Sequence, residues 1–174
     1  MEELKIVLLG YMGSGKTTIG RIIANQLNVK FLDLDEYIEQ KENLSVRAIF
    51  KEKGEVYFRK KEHQYLKEIF LNHNKFVLSL GGGTPCFGTN MELINQNTAN
   101  SVYINVGIKE LSERLLFEKS HRPMIAHLKD DELNEFIGKH LFERSFFYNQ
   151  ARHKVKSDHR TANELAEVII NSLV

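Results

Sequence analysis

The strongest constraint on this chain is Gly10-Tyr11-Met12-Gly13-Ser14-Gly15-Lys16-Thr17, close to its start. It fits G-x-x-x-x-G-K-[ST], a pattern that chance would produce on the order of 0.005 times in a chain of this size and composition. Before it, Leu4 to Leu9 form a short, mostly apolar run that reads as a buried strand. After it, Ile19, Ile22, Ile23 and Leu27 recur at helical spacing. Strand, glycine-rich turn and helix together are the setting in which the pattern marks a phosphate-binding loop. Glycines such as Gly13 and Gly15 let main-chain N–H groups close around an anion. A helix starting near Gly15 adds its partial positive end. Ser14 and Thr18 belong to the same cradle, Lys16 would reach the outer phosphates, and the Thr17 hydroxyl would face Mg²⁺.

The 174 residues suit one domain with a core that needs no disulfide or metal staple. A formal net charge of +1 argues against general binding to nucleic acid or a membrane surface. No apolar run is long enough to span a bilayer. The start, Met1-Glu2-Glu3-Leu4, lacks the basic opening of a signal peptide, so a cytosolic enzyme is expected. The single cysteine, Cys86, excludes an internal disulfide and reads as a small packing residue.

Strands and helices alternate along the chain. A second strand is expected over 31–35, ending in acid, followed by a short helix over 37–42. Ser45 would cap a helix running through Phe50, Gly54 would break it, and helix would resume from Glu55 to about Phe70. A third strand at 76–80 stops at Gly81-Gly82-Gly83, and a short helix follows over 91–94. A fourth strand at 101–106 leads to an amphipathic helix over 109–117. The pattern then fails over 118–131, which reads as a polar, mobile loop containing Arg122-Pro123. A long helix over 132–151, a strand over 153–156 and a closing helix over 162–173 complete the chain. Such alternation implies a parallel sheet covered on both faces, with chemistry at the carboxyl ends of its strands.

Asp33 and Asp35, two apart on the expected strand, would face the same way beside the phosphate loop. They could bind a metal or orient a hydroxyl; alternatively one of them caps the next helix. Three successive glycines at 81–83 read either as a flexible turn or as main chain that must approach a ligand closely. The third strand ends in Ser79-Leu80-Gly81, without the acid that commonly holds the metal in such enzymes, which leaves Asp33 as the candidate. Arg59 and Arg144 stand beside aromatic pairs and could grip a small anion, or could simply reach outward past the core. Arg122, in the polar loop, could close over the γ-phosphate.

Taken in order, these segments resemble shikimate kinase over nearly the whole chain. The matching stretches are the phosphate loop, Phe-Leu-Asp-Leu-Asp at 31–35, Ser-Val-Arg-Ala-Ile-Phe at 45–50 and Gly-Glu-Val-Tyr-Phe-Arg-Lys-Lys-Glu at 54–62. They continue with Ser-Leu-Gly-Gly-Gly at 79–83, Arg-Pro-Met-Ile at 122–125 and Glu-Arg-Ser-Phe-Phe-Tyr at 143–148. The resemblance implies an α/β, three-layer P-loop kinase fold with a five-stranded parallel sheet in the order 2-3-1-4-5. It implies a single kinase domain over 1–174, with the phosphate loop at 10–18, a substrate-binding region at about 34–70 and a lid at about 118–131. It implies ATP-dependent phosphorylation of the shikimate 3-hydroxyl, with Mg²⁺, on the route to chorismate and the aromatic amino acids. Asp35 would hold the acceptor hydroxyl, Asp33 and Thr17 the metal, and Arg59, Arg144 and the Gly82 main chain the substrate. Glu62 would support Arg59, and Arg122 would descend onto the phosphates beside Lys16. A cytoplasmic monomer with small-molecule partners alone, neither nucleic acid nor membrane, is the family expectation.

Three positions depart from that pattern. Ala48 stands where the family often has Glu, so the reciprocal half of a capping box is missing. Relatives often sandwich adenine between an arginine just before the lid and a proline near the chain's end. Glu118-Lys119 and Arg160-Thr161-Ala162 supply neither, which leaves Arg160 as the candidate against the base. His121 precedes the lid arginine. The rivals are a gluconate-type small-metabolite kinase and a nucleotide-sensing regulatory module.

Overall fold

The computed structural model describes residues 3–122 and 124–174; Met1, Glu2 and the lid residue Pro123 lie outside the described residues. Its centre is β1 (Leu4–Leu9), whose Ile6, Val7, Leu8 and Leu9 are fully buried. A strand apolar on both faces must be covered on both, and β1 is flanked in plane by two parallel neighbours. The phosphate loop leads from β1 into α1 (Lys16–Gln26), which starts at Gly15 with φ 89°, a left-handed conformation that favours glycine. Next come β2 (Lys30–Asp33), α2 (Leu34–Glu42), α3 (Val46–Lys53), α4 (Glu55–Asn72) and β3 (Lys75–Ser79). The chain continues through α5 (Asn90–Asn97), β4 (Asn100–Asn105), α6 (Ile108–Glu118), α7 (Leu133–Tyr148), β5 (His153–Lys156) and α8 (Ala162–Ser172). The sheet order is β2-β3-β1-β4-β5, all parallel, with helices on both faces, as expected.

The element boundaries carry three corrections. The second strand ends at Asp33, two residues early, because the Asp33 carboxylate accepts from the N–H groups of Asp35 (3.0 Å) and Glu36 (3.3 Å) and so starts α2 at Leu34. The Ser45 cap is present, its hydroxyl accepting from Ala48 N–H at 3.1 Å, and the helix runs on to Lys53. The segment 118–131 is not patternless. A short 3₁₀ turn at Lys119–His121 is followed by turns in which Ile125 and Ala126 N–H donate to the Arg122 carbonyl, and Ile125 is fully buried. One apolar side chain sunk into the core gives that segment a fixed seat.

Helices α2 and α4 are joined through two carboxylates, Glu68, which accepts from Tyr37 and Lys41, and Glu42. Glu42 accepts from the hydroxyls of Tyr57 and Tyr65, both at 2.6 Å, and from Lys61 at 3.3 Å. These donors hold its carboxyl down at about 2. Tyr57, Lys61 and Tyr65 recur at helical spacing on α4, so one face of that helix docks onto the end of α2. At the other end of the chain, Thr161 and Glu164 form the reciprocal box that starts α8.

Candidate active site

The carboxyl ends of β1, β2 and β3 converge on a cavity of about 300 Å³. Its floor is the phosphate loop: Gly13, Gly15, Lys16, Thr17 and Thr18 line it, with Asp33, Asp35, Gly81, Gly82 and Arg122 opposite. Ser14 is fully buried beneath. The Lys16 ammonium donates to the Gly10 and Tyr11 carbonyls, both at 2.9 Å. Burial pulls that amine down to about 8, although Asp35 and Asp33 oppose the shift. A partly buried cation held by neutral oxygens, the two carbonyls and the Ser14 hydroxyl at 3.3 Å, is one that an arriving anion stabilises.

The Thr17 hydroxyl donates to Asp33 Oδ2 at 3.2 Å, while Asp33 Oδ1 makes the helix cap. Capping and a place at the site are compatible: one Asp33 oxygen caps α2 and the other meets Thr17 at the cavity. Thr17 and Asp33 offer hard oxygen atoms beside the phosphate cradle, which suits Mg²⁺ completed by phosphate oxygens and water.

Asp35 is placed differently from the sequence expectation. It stands in the first turn of α2, not on the strand, so the same-face argument for the acid pair does not apply. Burial, reinforced by Asp33 and Glu62 and opposed by Lys16, pushes its carboxyl up to about 7.

Asp35 also lines a second, smaller cavity of about 170 Å³. Arg59, Arg144 and the glycine turn face it, with Phe50, Phe58 and Met124 as its apolar wall. Met12, Asp35, Gly81 and Gly82 belong to both cavities, so Asp35 stands at their junction. Arg59 Nη1 donates to Glu62 at 2.9 Å. Glu62 is almost wholly buried, and burial pushes its carboxyl upward despite the guanidinium. Arg144 lies over the Tyr11 ring, 5.5 Å from its centre. The glycine turn is tight against both arginines: a Cβ on Gly82 would come within 3.2 Å of Arg144 Nη1, and one on Gly83 within 2.6 Å of Arg59 Nη2.

Arg122 lines the larger cavity, and its Nε and Nη2 both donate to Glu118, a residue that sequence reasoning had not placed in the site. Arg160 is not brought to either cavity. Asp158 and His159 both have positive φ, the chain reverses there, and the Arg160 guanidinium donates to the Lys156 carbonyl at 3.2 Å in solvent. Arg114, also missed, does meet the loop. It donates to the Gly13 carbonyl at 3.2 Å and to Ser157 Oγ at 3.2 Å, and it is paired with Glu110. Its only sequence signal is the i, i+4 spacing to Glu110, which reads as an ordinary surface pair.

The sequence model of one family, shikimate kinase, matches residues 12–174. The chain belongs to the shikimate kinase family. A shikimate kinase of Flavobacterium johnsoniae is 47% identical over 169 residues, covering 97% of this chain and 98% of the relative. A crystal structure of shikimate kinase from Bacteroides thetaiotaomicron superposes with a TM-score of 0.88 at 39% identity, covering 97% of each chain. Another, shikimate kinase from Acinetobacter baumannii in complex with shikimate, gives 0.86 at 31% identity over 98% of this chain and 93% of that one. The reaction expected from the sequence, phosphorylation of the shikimate 3-hydroxyl by ATP with Mg²⁺ on the route to chorismate, comes with the family. Both rivals, the gluconate-type kinase and the nucleotide sensor, fall with that assignment.

Proposed function

We propose that the two cavities divide the reaction between them, the larger holding the ATP phosphates and the smaller the shikimate ring. The observation that carries this reading is Asp35 at their junction, where an acceptor hydroxyl would meet the donor phosphate. Gly13, Ser14, Gly15, Thr17 and Thr18 cradle the phosphates with main-chain and hydroxyl donors, and Lys16 and Arg122 neutralise charge as the γ-phosphoryl leaves. Thr17 and Asp33 would hold Mg²⁺, which would supply further charge neutralisation on the phosphates.

Arg59 and Arg144 take the substrate carboxylate, and Gly82 faces a ring hydroxyl. A carboxylate between two guanidinium groups is favoured by charge and by hydrogen-bond geometry. Asp35, with its carboxyl raised to about 7, accepts the hydroxyl's hydrogen bond and takes its proton. Holding hydroxyl and phosphate in line is the larger part of catalysis in such transfers.

The chain works as one kinase domain over 1–174, with the acceptor region at about 34–70 and the lid at about 118–131, as a cytoplasmic monomer. No helix among the described residues is long and apolar enough to cross a membrane. The test is ATP consumption with and without shikimate, in the wild type and in Arg59→Ala. Shikimate-dependent ADP release should be lost at low shikimate in the variant and recovered at high concentration, a rise in KM of roughly a hundredfold for a lost charge-assisted contact. An unchanged KM would remove Arg59 from the acceptor site.

A further inference from the structure

Four consecutive residues, 81–84, separate the two arginines, and each side of that segment is tied to a different helix. On the α7 side, the Tyr148 hydroxyl donates to the Gly82 carbonyl at 2.6 Å. Tyr148 is fully buried and lies one helical turn beyond Arg144, whose Nη1 packs against the same Gly82. On the α4 side, the Thr84 hydroxyl donates to Glu62 Oε1, while Glu62 Oε2 takes Arg59. Thr84 is fully buried, and its carbonyl accepts from the equally buried Asn90 amide at 2.8 Å. Asn90 is in turn bonded to His63 of α4 at 2.7 Å. Neither arginine is set by its own helix alone, because each is referred to the same short segment.

We infer that Thr84 and Tyr148 are positioning residues whose hydroxyls fix the separation of the Arg59 and Arg144 guanidinium groups, and thereby the preference for a carboxylate-bearing substrate. The inference rests on the reading of those arginines as the carboxylate clamp. Glu62 has one oxygen for each of two donors. When the Thr84 hydroxyl is removed, a buried carboxylate oxygen loses its partner. The carboxylate then turns to take both its hydrogen bonds from Arg59, as the planar guanidinium allows, and draws that group out of the cavity. When the Tyr148 hydroxyl is removed, the Gly82 carbonyl is released and the turn is free to shift against Arg144. In both cases a clamp built for two parallel charge-assisted contacts retains its charges and loses its spacing.

The experiment measures dissociation constants for shikimate and for shikimate methyl ester, which keeps the ring and hydroxyls but has no carboxylate. Wild type, Thr84→Val, Thr84→Ser, Tyr148→Phe and Arg144→Ala are compared at a temperature where each is folded by circular dichroism. Thr84→Val and Tyr148→Phe should each lower the acid-over-ester preference about tenfold, because a displaced guanidinium weakens its charge-assisted contact without losing it, with ATP affinity within twofold of wild type. Thr84→Ser, which keeps the hydroxyl, should restore the preference. Equal weakening of acid and ester, or a preference unchanged in both Thr84→Val and Tyr148→Phe, overturns the inference. Should Thr84→Val fail to fold, Tyr148→Phe decides alone. If Arg144→Ala also keeps the wild-type preference, the clamp reading itself is at fault; if Arg144→Ala loses it while the hydroxyl variants do not, the positioning role alone is refuted.

Discussion

Replacing Asp35 by Asn should abolish turnover and make the folded protein more stable at alkaline pH. The carboxyl is raised from its usual 3.8 to about 7, chiefly by burial and then by Asp33 and Glu62. Between those values the folded chain keeps a proton that the unfolded chain has released. Stability from this group is therefore complete below about pH 4 and is lost as pH rises through 7. The shift of about three units sets a ceiling of roughly 4 kcal/mol at pH 8. Asp35 is only partly buried, so water entering the open cavity reduces this to about 1–3 kcal/mol. In a chain of 174 residues that is a rise in Tm of roughly 3–10 °C.

The assay is thermal unfolding of wild type and Asp35→Asn, without ligands, at pH 4.5, 6 and 8. The two should melt together at the lowest pH and diverge steadily above it, the variant being the more stable. Because kcat/KM reports ionisation in the free enzyme, the wild type should also lose kcat/KM for shikimate below about pH 7. A difference in Tm that stays flat across the three pH values would refute the claim that a desolvated carboxylate sits at the junction of the cavities.

Two further outcomes are expected. Arg122 lines the donor cavity and not the acceptor cavity, so Arg122→Ala should lower kcat by about a hundredfold or more while KM for shikimate stays within about threefold, as initial-rate kinetics will show. Glu42→Gln weakens the contacts of two tyrosine hydroxyls and Lys61 with a carboxylate held at about 2, and should cost roughly 1–3 kcal/mol in urea unfolding at pH 7. The sign at low pH is opposite to that of Asp35: a depressed carboxyl stabilises above about pH 4.5, and that stability is lost as pH falls toward 2, so the gap between wild type and Glu42→Gln should close on acidification.

The donor half of the site was legible because its chemistry is local. Eight consecutive residues carry the loop, and flanking periodicity supplies the strand and helix that aim it. The acid pair was found by a physical argument that does not hold. Asp33 and Asp35 do not share a strand face, since Asp33 ends the strand by capping the next helix; the roles followed from the resemblance to a family, and the geometry arrives by a different route. What could not be read is what depends on distant partners. Thr84 and Tyr148 are ordinary buried hydroxyl residues until the fold brings Thr84 to Glu62 and Tyr148 to Gly82. Arg114 reads as a helix-surface charge because its partner in the phosphate loop is about a hundred residues away in the chain. Glu118 and Arg122 are separated by one helical turn, yet Glu118 matters only because the lid folds Arg122 back beside it.

Those last contacts also show how the charge gathered at the site is partnered within the chain itself. Lys16 and Arg122 are the cations aimed at the donor cavity, and both are engaged: Lys16 with carbonyls of its own loop, Arg122 with Glu118. Neither arrangement is strong. Two neutral carbonyls offset little of an ammonium's burial, and that lysine is pulled down to about 8 accordingly. The Arg122–Glu118 pair is substantially exposed, at 34% and 49%, and a pair of that kind contributes only about 0–1 kcal/mol. A triphosphate with its metal offers both cations a stronger partner at little cost in broken contacts. The same residues can therefore exchange these partners for those of a nucleotide. Arg59, proposed above as part of the substrate clamp, is held the opposite way, by a carboxylate that is 1% exposed and has both oxygens engaged, so its geometry is fixed by the chain itself. An exchangeable donor side and a rigid acceptor side suit a kinase that must release ADP each turnover yet choose one small acid among many.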